Sequence, residues 1–128
     1  MAKNLVKFKK AIEELSLSID LSKPLDLKKL LAKWGEIWPP LKSALECVKE
    51  SKWTNAKTDK VIDEILKAGN KVSDTEALKA LLQKVITILD KIRKVVKGIL
   101  DLLPGLDKEG KVGKFLAVLD WIEASLKI

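Results

Sequence analysis

From Asp74 to Leu103 apolar residues recur at helical spacing with no proline among them, and this run constrains the fold more than any other feature. Leu78, Leu82, Val85, Leu89, Ile92, Val96, Ile99 and Leu103 form one ladder. Leu81, Val85, Ile88, Ile92, Val95, Ile99 and Leu102 form a second that interlaces with it. Together they make a stripe wider than a coiled-coil seam needs, so this helix must touch neighbours on two sides. At about 30 residues it would be roughly 45 Å long. Ser73 followed by Glu76 reads as a capping box at its start, and Pro104-Gly105 stops it. Gly98 is its weakest point, where a bend could form.

Shorter amphipathic segments surround this run. Leu5, Phe8, Ile12 and Leu15 mark a helix over residues 3–17, followed by a loop containing Pro24. Asp26 is an N-cap for a second helix carrying Leu27, Leu30, Leu31, Trp34 and Trp38. Pro39-Pro40 should end that helix and start a third, over 40–51, set at an angle to it. A fourth runs from about Thr58 to Ala68 and closes at Gly69-Asn70. Asp107 can cap a last helix with Phe115, Leu119, Ile122 and Leu126 on its apolar face and Trp121 near the edge. The expected fold is all-α: a compact bundle of about five helices around a long central helix at about 74–103, forming a single domain over 1–128.

Histidine is absent from the chain, which rules out Ser-His-Asp and Cys-His catalysis, His/Cys zinc sites and Glu-x-x-His di-iron sites. Cys47 is the sole cysteine, so no internal disulfide forms, and its apolar position predicts a buried small hydrophobe. Asp59 with Asp63, and Glu46 with Glu50, lie one turn apart and could hold a hard cation or act as acid and base. The same pairs read equally as solvated helix faces, with Asp63 supporting Lys67. Gly110-Lys111-Val112-Gly113 has the letters of a GxxG loop but not the α/β setting that such a loop needs. No catalytic residues, cofactors or metals are expected.

Binding surfaces remain. The net charge is +7, and Arg93 is the only arginine, so the surplus rests on lysine. Lysine attracts anions as a point charge without the bidentate reading that arginine supplies. Lys84, Lys91 and Lys94, with Arg93 and Lys97 close by, form a candidate basic face on the long helix. Asp90 and Asp101 interrupt it, and a solvated face is the plain alternative. Trp34, Trp38 and Trp53 form a candidate docking surface; core packing is the other reading of the same residues.

Leu31-Ala-Lys-Trp-Gly and Leu119-Asp-Trp-Ile resemble the Lys/Trp-rich helices of leaderless bacteriocins over these short segments only. The chain is longer and more acidic than that family, and the likeness implies no activity. No signal peptide or membrane-spanning run is read, so a soluble, cytoplasmic protein is expected by default. The expected function is a non-enzymatic binding or adaptor module with a protein partner or an apolar ligand. The alternatives are a membrane-active or lipid-binding protein on an anionic surface, a non-specific nucleic-acid binder, and a designed bundle without natural function.

Overall fold

The computed structural model describes the backbone of residues 2–102 and 111–127, and the side chains of 6–98, 101 and 115–127. It contains α1 (Ala2–Ser18), α2 (Leu27–Ala32), α3 (Trp34–Ser51), α4 (Ala56–Gly69), α5 (Thr75–Leu102) and α6 (Lys111–Leu126), and no strand among the described residues. Leu5, Ile99, Leu102, Leu103, Pro104-Gly105, Asp107 and the GxxG letters were assigned roles that fall outside the described residues or side chains.

The principal contacts close a ring. α1 packs against α3, α3 against α4, α4 against α5, α5 against α6, and α6 returns to α1. The short α2 lies against α5 and α3. The core gathers one face of every long helix: Phe8, Ile12 and Leu15; Leu41, Leu45 and Val48; Ile62 and Ile65; Leu78, Val85, Leu89 and Ile92; Phe115, Leu119 and Ile122. Both ladders of α5 are buried wherever they are described, except for Val95, which is half-buried. The width of the stripe is explained by three neighbours: α4, α6 and α2.

The double proline does not end a helix. α3 runs through Pro39 and Pro40, and the break lies upstream at Lys33. Proline's own φ is helical; the damage falls on the carbonyl four residues back, which loses its amide partner and meets the ring. For Pro39 and Pro40 those carbonyls belong to Gly35 and Glu36, in the first turn of α3. Lys33 serves both helices at this joint. Its N–H donates to the Lys29 and Leu30 carbonyls, and its carbonyl accepts from the amides of Glu36 (2.9 Å) and Ile37 (3.1 Å).

Two helix starts also shift. Asp74, not Ser73, caps α5: its Oδ1 accepts from the Ala77 amide at 2.7 Å, and its carbonyl accepts from the Leu78 amide. A carboxylate at this position also meets the positive end of the helix dipole, with Glu76 adding to it in the first turn. α4 begins at Ala56 because Asn55 Oδ1 accepts from the Thr58 amide at 2.9 Å. Asp26 caps α2 as expected, accepting from the Lys29 amide at 2.9 Å.

Candidate functional site

The Trp docking surface is corrected by the packing of α3 on α4. Trp34 and Trp38 are each only 7% exposed, one turn apart, with their rings stacked at a centroid distance of 5.4 Å. Trp34 Nε1–H donates to the Gly69 carbonyl and Trp38 Nε1–H to Asn70 Oδ1, both at 2.8 Å. The indoles therefore satisfy acceptors at the end of α4, where carbonyls lack intrahelical partners. Trp53 is half-buried and meets Phe8 edge-on at 5.6 Å; Phe8 in turn packs on Phe115. Trp121 is buried too, rather than at an edge, and donates to the Lys23 carbonyl at 3.0 Å. Indole serves the core at Trp34, Trp38 and Trp121 because its large apolar area and single donor both find partners inside the bundle, whereas the buried Trp53 N–H has no hydrogen-bond partner among the described residues.

The carboxylate pairs are occupied in part. Asp63 pairs with Lys49 across the α3–α4 seam, not with Lys67, and Asp59 accepts from Thr54 Oγ1 at 2.8 Å. Glu46 and Glu50 are exposed on α3. They border an open cleft of about 230 Å³ with Lys7, Ser43 and Cys47, and another of about 300 Å³ with Lys49 and Leu66. No group of three or more His, Cys, Asp or Glu side chains converges for a metal among the described residues. The Cys47 thiol is buried, and burial pushes its pKa up from the ordinary 9.0 against the opposing hydrogen bond from Ser51. A thiol held protonated is a poor nucleophile.

The basic face is exposed as the spacing requires. Lys84, Lys91, Arg93, Lys94 and Lys97 all project from α5 into solvent. They do not share one line. Lys84 and Arg93 are nine residues apart, about two and a half turns, and so occupy opposite edges of the outer half. Lys84 pairs with Glu64 of α4 at 3.7 Å, and Arg93 with Asp90 at 2.6 Å. Lys91, Lys94 and Lys97 make no ion pair among the described residues. They follow one another at three-residue steps and wind slowly round the helix between those edges. Lys28, Lys29 and Lys33 are also exposed on and beside α2, which packs against α5. The run Leu27-Lys-Lys-Leu-Leu-Ala-Lys carries that signal in the sequence, outside the basic face expected from α5 alone.

Val6, Leu17 and Leu116 are the large apolar side chains left exposed among the described residues, on α1 and α6 rather than α5. No described helix is long and apolar enough to cross a membrane. No family model, curated protein or solved structure matches the chain.

Proposed function

We propose that this chain is a non-enzymatic helical binding module that works through the basic outer face of α5. The observation that carries the reading is the set Lys91, Lys94 and Lys97: exposed, without ion pairs among the described residues, on a helix whose other face is committed to the core. Cations left open in this way attract a polyanion and release its counterions, giving binding that is fast, tolerant of sequence and steeply weakened by salt. The absence of histidine and the shielded, protonated Cys47 support a role outside catalysis. The cytoplasm, where a lone cysteine stays reduced, is the proposed setting.

The test titrates the wild type and the variant K91E/K94E/K97E against a labelled DNA duplex, anionic vesicles and polyglutamate. The wild type should bind at least one of these at about 50 mM salt and lose most of that affinity by about 200 mM. The variant should bind at least about tenfold more weakly with an unchanged melting temperature. Wild-type protein that binds none of the three at the lower salt would overturn the reading.

A further inference from the structure

Gly98 lies four residues beyond Lys94 and seven beyond Lys91 in α5, one and two turns along the same outer face. It is exposed, and a Cβ built on it meets nothing within 4 Å. The fold gives no reason for glycine at this point. Gly69 contrasts with it, since a Cβ there would fall 2.2 Å from the Trp38 ring. A glycine inside a helix weakens it relative to alanine, and Gly98 returns no internal close approach for that cost. What it leaves is bare helix backbone beside two lysines that make no ion pair among the described residues.

Resting on the basic-face reading above, we infer that the Lys91–Lys94–Gly98 turns are where the phosphate backbone of a double-stranded nucleic acid comes closest to α5. The missing side chain lets a phosphate approach the helix surface while the two ammonium groups reach around it. Asp101, exposed one turn beyond Gly98, repels phosphate and marks the end of the footprint. Asp90 is engaged by Arg93 at the side of the face.

The face suits a duplex better than other polyanions. Single strands are held by stacking on aromatic rings, and every tryptophan and phenylalanine of this chain is in the core or packed against it. Helices that lie on membranes insert large apolar side chains, and none is exposed among the described residues of α5. Protein interfaces favour tyrosine, tryptophan and arginine and are depleted in lysine. Lysine as a point charge neutralises phosphates whatever the base sequence.

The experiment measures binding of a labelled mixed-sequence DNA duplex at about 50 mM salt by wild type, Gly98→Leu and Ala80→Leu, with a melting curve for each. Leucine is a good helix former and Gly98 has open space around it, so Gly98→Leu should melt no lower than wild type. It should bind the duplex at least about tenfold more weakly, whereas Ala80→Leu, near the other end of α5, should stay within about twofold. Equal duplex binding by wild type and Gly98→Leu would overturn the inference. So would a wild type that ignores duplex but binds vesicles or polyglutamate, an outcome that leaves the basic-face reading standing. Failure with all three polyanions would instead remove that underlying reading.

Discussion

Trp38 and Asn70 are joined by a hydrogen bond of 2.8 Å from the indole N–H to the side-chain carbonyl, made directly above Gly69, whose missing side chain leaves room for the same ring. Donor, acceptor and space lie on two helices and are mutually dependent. Gly69→Ala should therefore destabilise the protein by about 1–3 kcal/mol, because the ring is held by its stacking on Trp34 and has little freedom to yield. A double-mutant cycle with Trp38→Phe and Asn70→Ala should give a coupling of about 0.5–1.5 kcal/mol. Denaturant melts measure both; a Gly69→Ala variant as stable as wild type would contradict the packing.

At the start of α5 the two candidate caps separate cleanly. Asp74→Ala removes the acceptor for the Ala77 amide and should cost about 0.5–2 kcal/mol. Ser73→Ala removes no bond to the helix and should stay within about 0.5 kcal/mol. Thermal unfolding of the two variants decides between them, and a larger loss for Ser73→Ala would restore the capping box.

Lys52 ends α3 in the left-handed region, with φ 55 and ψ 36. A Cβ is strained there and glycine is not. Lys52→Gly should raise stability by about 0.5–1 kcal/mol, read from the denaturation midpoint. A loss of stability would show that the lysine side chain contributes more than its backbone strain.

Cys47 predicts a pH dependence whose sign follows from burial. Its folded pKa is raised above 9.0, so from pH 9 upward the unfolded chain releases the thiol proton while the folded chain keeps it. The unfolded state then binds fewer protons, and stability falls as pH rises; below pH 9 the contribution is fully present. Cys47→Ala should flatten this decline above about pH 9 in urea melts. The wild-type thiol should react with a disulfide reagent only at the rate of unfolding, and fast reaction at neutral pH would contradict its burial.

The long helix could be read from sequence because its evidence is local and redundant: two ladders, repeated over many turns, leave one face to bury. The break at Lys33 could not, because a proline is visible where it stands and acts on a carbonyl one turn earlier. The tryptophans were ambiguous for a different reason. Spacing places Trp34 and Trp38 on one face, yet what draws that face inward is a pair of acceptors at Gly69 and Asn70, more than 30 residues away. Gly69 itself was read as a helix terminator, while its closest constraint is the ring above it. The lysines of α5 were identified from spacing, but their inequality was not: Glu64, on another helix, decides that Lys84 is engaged.

Because α6 returns to α1, the ring is shut by its two sequence-distant staves. The segment that follows α1 is latched to α6 as well: Ser125 Oγ accepts from the Leu25 amide, and the Trp121 indole reaches the Lys23 carbonyl, across separations of 100 and 98 residues. During synthesis α1 must wait with one flank bare until α6 has emerged. Closure of the bundle thus waits for α6, and a polypeptide cut short before it would expose two greasy seams at once, on α1 and on α5.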